Sequence, residues 1–188
     1  MEIYTLSHAT TLLNIQKKVN GQLNEPLAPE GIKETKAAVP TIPKTISQIY
    51  SSSLLRAVQT AEIFGKELNI PISVQSALSE IHMGSLAGNA WEEMENGLAL
   101  KEKHRTASFD YRPFGGESVD DVLKRLVPFF KEINTKHKDK EVLIITHGGM
   151  IRLINMLETG DTIYETEQHV TPFITNVDRI LENYETKQ

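Results

Sequence analysis

The run Glu141-Val142-Leu143-Ile144-Ile145 constrains this chain most. Its consecutive apolar side chains leave no polar face, so a strand built from them must be covered on both sides, as the strands of parallel sheets are. The run ends at Thr146-His147-Gly148-Gly149, after which Met150, Ile151, Leu153, Ile154 and Leu157 recur at helical spacing. Strand, short turn and helix in that order form the unit of an α/β sheet.

Two further segments repeat the unit. Ile3-Tyr4-Thr5-Leu6 runs into Ser7-His8, with small hydroxyl residues around the imidazole, and a short helix or turn fits Thr10 to Val19. Gln48-Ile49-Tyr50-Ser51 runs through Ser52 and Ser53 into Leu54, Val58, Ala61, Phe64 and Leu68, again at helical spacing. Asn69 and Pro71 end that helix, and Ile72-Ser73-Val74 reads as another strand. A loop rich in turn formers spans Asn20 to Leu27, and Pro29 opens a helix that Pro40 and Pro43 stop. Three helix N-termini and two histidines can therefore share the carboxyl edge of one parallel sheet, where such sheets bind ligands.

Between Ala87 and Gly116 the chain is polar and mixed in charge, and a helix is expected from Ala90 to Lys103. Its tryptophan, Trp91, either covers that helix against the core or anchors a lid over substrate. Ser118 and Asp121 have the spacing of a helix N-cap, Val119, Val122, Leu126, Phe129 and Ile133 mark the buried face that follows, and Pro128 is expected to bend it. A last strand is expected near Val170 to Ile174, followed by frayed terminal residues. The expectation is a single domain over residues 1–188, an α/β three-layer sandwich with a mostly parallel central sheet, in which residues 82–114 form a lid or specificity insertion.

Composition narrows the chemistry. The 188 residues include no cysteine, which removes disulfides, thiolate nucleophiles and cysteine-ligated metals. A net charge of -5 argues against nonspecific nucleic-acid binding, and no apolar segment reaches the length of a bilayer span. A soluble cytoplasmic protein with neither nucleic-acid nor membrane partner is expected. The histidines lack the His-Glu-x-x-His spacing and no carboxylates cluster, so no metal or other cofactor is expected either. Arg56, in the first turn after the serine-rich strand end, adds a guanidinium to the helix amides at the sheet edge, a combination suited to a dianionic ligand.

Ser7-His8 with Asn14, Gly21 through Pro26-Leu27, Ser51-Ser52-Ser53-Leu54-Leu55-Arg56-Ala57-Val58-Gln59-Thr60-Ala61, Leu78-Ser79-Glu80-Ile81, Gly116-Glu117-Ser118 and Thr146-His147-Gly148-Gly149 together resemble the histidine phosphatase superfamily, the phosphoglycerate mutase-like proteins. That resemblance implies a phosphoglycerate mutase-like sandwich, a phosphohistidine intermediate, a small phosphorylated substrate and no metal. Carried onto this sequence, it makes His8 the nucleophile, Arg56 a phosphate clamp, His147 the second pocket histidine and Glu80 the proton donor. Ser7, Asn14 and Gly148 are the further phosphate-binding positions. A neutral His8 can attack phosphorus if its other ring nitrogen donates to a carbonyl, while Arg56 and a protonated His147 hold the equatorial oxygens.

One departure counts against full activity. The family pattern begins Arg-His-Gly-Glu-Thr, whereas this chain reads Ser7-His8-Ala9-Thr10-Thr11. Losing a preorganised cation costs about 3 kcal/mol of transition-state stabilisation, about a hundredfold in rate. Another cation, such as Lys17 or Arg152, fills the gap, or the enzyme is slow, or the domain only binds phosphorylated ligands. The expectation is a metal-independent histidine acid phosphatase-like phosphomonoesterase acting through His8 and weakened by Ser7. The alternatives are a noncatalytic phosphate-binding or interaction module and phosphoglycerate mutase-type transfer. His82 lines the pocket or lies on the surface, and His104, His137 and His169, in polar surroundings, are given no function.

Overall fold

The computed structural model of the chain describes residues 1–138, 140–161 and 170–186. Strands β1 (Glu2–Ser7), β2 (Ile46–Ser52), β3 (Ile72–Gln75), β4 (Glu141–Thr146) and β5 (Phe173–Asn176) form one sheet of order β3-β2-β4-β1-β5. The apolar run of the sequence is thus the central strand. β1 and β2 flank β4 in parallel, β3 continues in parallel beyond β2, and β5 closes the other side as an antiparallel edge on β1.

Side chains alternate across a strand, and on β4 both faces are apolar. Val142 and Ile144 enter a core with Leu126, Phe130 and Ile133 of helix α5 (Val119–Lys136), Leu153 and Ile154 of α6 (Gly148–Thr159), and Val177 and Ile180 of α7 (Val177–Glu185). Leu143 and Ile145 face the opposite way, against Ala57, Ala61 and Phe64 of α3 (Leu55–Leu68) and Ala38 of α2 (Pro29–Ala38). Each fully buried aliphatic side chain contributes about 1.5–3 kcal/mol. This two-sided burial produces the helix-sheet-helix sandwich.

The expected N-cap is present: Ser118 Oγ accepts from the Asp121 amide at 3.3 Å and Asp121 Oδ2 from the Ser118 amide at 3.1 Å. Pro128 lies inside the helix that follows. Other boundaries differ from the sequence reading. The first helix, α1, is a single turn (Leu12–Ile15). The helix expected from Ala90 is split into a 3-10 turn at Trp91–Glu93 and α4 (Gly97–Arg105). Asn96 takes a left-handed φ of 56°, and Gly97 packs so close to the Trp91 carbonyl that a side chain there would collide with it. The last strand starts at Phe173 rather than Val170, and a helix that the sequence reading did not place, α7, follows up to Glu185, capped by Asn176 Oδ1 on the Asp178 amide at 3.0 Å. His169 lies outside the described residues, as do Lys187 and Gln188. Among the described residues no helix is long and apolar enough to cross a membrane.

The loop leaving β1 is tied down from both neighbouring helices. Thr10 donates its amide and hydroxyl to Glu34 of α2 at 3.2 and 3.0 Å, the Ala28 amide donates to the Thr10 carbonyl at 2.9 Å, and the Ala9 amide donates to Thr60 Oγ1 of α3 at 3.2 Å. Gly31 allows this contact, because a Cβ there would run into the Thr10 backbone. Gly31→Ala should therefore destabilise the protein by about 1–3 kcal/mol despite the better helix propensity of alanine; urea unfolding of the pair checks this, and equal or greater stability of the variant would contradict it.

Candidate active site

Parallel pairing of β1 with β4 sets Ser7 opposite Thr146, so the next residue of each strand is a histidine. The His8 amide donates to the Thr146 carbonyl at 2.9 Å, extending the ladder by one rung. The rings of His8 and His147 then stand 5.1 Å apart between centroids at 57°. Beside them a cavity of about 200 Å3 is lined by Ser7, His8, Asn14, Glu80, Gly148 and Arg152, together with Lys18, Asn20, Gly21, Met83, His104 and Gly149.

His8 is 4% exposed, and its Nδ1 lies 2.7 Å from the Ala9 carbonyl. A carbonyl oxygen only accepts, so Nδ1 carries the proton and Nε2 the lone pair. His147 is fully buried, with Nε2 2.7 Å from Ser52 Oγ and Nδ1 buried without a hydrogen-bond partner among the described residues. Ser52 Oγ also accepts from the Leu54 amide at 3.2 Å, and donation of its hydroxyl proton to Nε2 pairs that proton and leaves Nδ1 as a buried N–H without a partner among the described residues. Burial, then the charge of Arg56, holds His147 well below the usual imidazole range. It is therefore neutral in this site, in contrast to the protonated form expected from sequence.

Arg56 is fully buried and is not among the residues that line the cavity. Its terminal nitrogens donate to the Leu23 and Gly21 carbonyls, each at 2.7 Å, while Nε has no partner among the described residues. Burial lowers its pKa to about 10, against the attraction of Glu80 and Glu25, so it stays charged near neutrality. Each terminal nitrogen bears a second N–H, so the fork clamps the Gly21–Leu23 loop and keeps donors in reserve.

Glu80 receives the Ile81 amide on Oε1 at 2.9 Å and the Gly149 amide on Oε2 at 3.4 Å. Burial nevertheless raises its pKa, the dominant influence over those hydrogen bonds and over Arg56 and Arg152. Its carbonyl is held by Gln22 at 2.8 Å and by Arg125 at 3.3 Å, and Arg125 is itself paired with Glu117 at 2.9 Å. Asn14 accepts the Thr11 amide on Oδ1 at 3.0 Å, which leaves Nδ2 as its remaining donor.

Among the expected site residues, Ser7, His8, Asn14, Glu80 and Gly148 line the cavity, whereas His147, beside the His8 ring, and Arg56 are fully buried off its wall. Of the two cations considered to offset Ser7, Lys17 is exposed and off the wall, whereas its neighbour Lys18 and Arg152 are on it. His82 is half-buried and off the wall, with Nδ1 accepting the Gly84 amide at 3.2 Å. His137 is buried against the Tyr50 hydroxyl at 2.7 Å. His104 was passed over as polar surroundings, yet it lines the cavity; the only sequence signal was its place in the 82–114 segment close to Phe109 and Tyr111. Among the described residues no group of three or more His, Asp or Glu side chains is placed to hold a metal ion.

The model of the histidine phosphatase superfamily (branch 1) matches residues 3–170. A metal-independent phosphoserine phosphatase of Arabidopsis thaliana is 32% identical over 161 residues, 81% of this chain and 66% of that protein. A glucosyl-3-phosphoglycerate phosphatase of Mycolicibacterium vanbaalenii is 31% identical over 168 residues, 82% of this chain and 72% of that protein. Among solved structures, a mycobacterial glucosyl-3-phosphoglycerate phosphatase complexed with VO3 superposes with a TM-score of 0.76 at 26% identity, covering 86% of this chain and 82% of that one.

The raised Glu80 pKa has a consequence for stability. The folded chain holds this proton more tightly than the unfolded chain, so the contribution of the carboxyl is full below the ordinary value of 4.5 and is lost as pH rises through the higher folded value. Glu80→Gln should therefore raise the thermal midpoint at neutral pH, with the gain closing by about pH 4. A variant less stable than wild type at neutral pH would contradict this.

Proposed function

This chain belongs to the histidine phosphatase superfamily (branch 1), and from that premise we propose that it is a metal-independent phosphomonoesterase working through a phosphohistidine on His8. Its curated relatives include proteins named as phosphatases. The observation that carries the reading is the His8 Nδ1 contact with the Ala9 carbonyl at 2.7 Å, which makes Nε2 the lone-pair nitrogen of a ring that lines the cavity and stands beside His147.

Nε2 of His8 attacks phosphorus, and the bond from phosphorus to the ester oxygen breaks. Protonated Glu80, its pKa raised by burial, delivers its proton to that oxygen and the alcohol departs. Water, deprotonated by the resulting carboxylate, then attacks the phosphohistidine; phosphate leaves and both groups return to their starting states. Donors for the phosphoryl oxygens are Arg56, Nδ1–H of His147, Nδ2 of Asn14 and the Gly148 amide. His147 serves as a neutral donor through the tautomer that Ser52 sets, and a bound dianion would raise its pKa from there. Residues 82–114 form the lid, with Trp91 tilted against His104 at 5.8 Å between ring centroids.

Ser7 on the cavity wall supports the second reading, a noncatalytic phosphate-binding module, because a short hydroxyl stands where the family pattern has a guanidinium. Mutase-type transfer is distinguished by returning the phosphoryl group to the substrate instead of releasing inorganic phosphate. Rapid mixing with an activated aryl phosphate should give a burst of phenol and acid-labile phosphate on the protein, both lost in His8→Ala, and Ser7→Arg should raise turnover by up to about a hundredfold. Phosphate binding with neither labelling nor turnover in wild type would establish the module instead, and turnover retained by His8→Ala would reject His8 as nucleophile.

A further inference from the structure

His104 and Arg152 have no part in the steps assigned to His8 and Glu80, yet both line the same cavity. Arg152 lies one helical turn beyond Gly149 on α6, so its side chain shares that face. A Cβ built on Gly149 would lie 2.7 Å from Glu80 Oε1 and 2.9 Å from His104 Cε1, so the acid and the imidazole converge over this glycine. The charge of Arg152 is felt by Glu80, His104 and Tyr111, whereas the charges felt by His147 are those of Arg56 and Arg125. Arg152 therefore stands on the Glu80 side of the cavity, where the alcohol departs.

The imidazole of His104 is fixed in one form. Tyr111 is fully buried, and its hydroxyl lies 3.0 Å from His104 Nδ1. Donation to Nδ1 is the arrangement that pairs the phenolic proton among the described residues, and it leaves the ring proton on Nε2. Burial and Arg152 lower the His104 pKa to about 3, so this donor persists across the physiological range. Arg152 Nε is buried without a hydrogen-bond partner among the described residues. Next to the proton donor, then, are a cation and a neutral N–H, with Lys18 adding positive charge to the wall. The cavity, about 200 Å3, is small beside the roughly 300–1,000 Å3 of sites for drug-sized ligands, so the leaving group is short.

We propose that Arg152 and His104 form a leaving-group subsite for a carboxylate, making the preferred substrate a small phosphomonoester of a hydroxy acid. This rests on the hydrolase reading above but is tested separately from it. O-phospho-L-serine and O-phosphoethanolamine differ by one carboxylate. Wild type should favour the former by about tenfold or more in kcat/KM, as a charge-assisted contact implies. In Arg152→Gln that ratio should fall to near one; in His104→Ala it should fall partway, and His104→Gln, which restores an N–H, should recover it. A ratio near one in wild type, or an unchanged ratio in Arg152→Gln, overturns the subsite. If neither compound is turned over, the same ratio taken from dissociation constants by calorimetry on wild type and Arg152→Gln decides the subsite by the same outcomes, while the hydrolase reading stands or falls on the aryl phosphate burst.

Discussion

The parallel pairing of β1 with β4 is the constraint on which the site depends. It joins two strands from opposite ends of the chain in a register that puts Ser7 opposite Thr146, and the His8 amide adds one more hydrogen bond to the Thr146 carbonyl. A one-residue slip would turn each side chain to the other face of the sheet. Both faces of β4 are buried under different helices, so the two cores resist that slip. The position of the two imidazoles is thus a consequence of hydrophobic packing on the strands that carry them.

Around the histidines, the protein keeps polar groups buried and compensates them unequally. Arg56 is charged but has two donors engaged by loop carbonyls, Glu80 is pushed toward its neutral form, and His147 is held neutral by burial and by the cations beside it. Arg56 Nε and His147 Nδ1 are buried donors without hydrogen-bond partners among the described residues, and neither side chain lines the cavity itself. The Glu117–Arg125 pair and Gln22 hold the Glu80 backbone from behind, so the acid is positioned by a part-buried network outside the cavity wall.

Much of this was legible in the sequence because it follows from local rules. The apolar run before Thr146, the serine-rich turn before Arg56 and the Ser118-Asp121 box each specify an element and its end. What escaped depended on tertiary contacts. His104 looked polar because its neighbours Lys103 and Arg105 are charged, yet helix α4 turns it inward against Tyr111 and Gly149. α4 starts at Gly97 rather than Ala90 because Asn96 adopts a left-handed conformation that helical spacing does not reveal. Lys17, one of the cations considered for the pocket, stays off the wall while Lys18 lines it, because α1 ends at Ile15 and Lys17 takes a positive φ of 56°. α7 was readable from Val177, Ile180, Leu181 and Tyr184, which recur at helical spacing behind an asparagine cap.

The central claim is that Nε2 of His8 faces a phosphoryl group held by Arg56 and His147. A crystal structure with vanadate tests it most directly. The account predicts vanadium bonded to His8 Nε2, with the His147 Nδ1 and Arg56 donors on its equatorial oxygens and Glu80 beside the opposite, apical oxygen. Vanadate bonded to another residue, or bound in the cavity with the His8 ring turned so that Nδ1 faces it, would contradict the account.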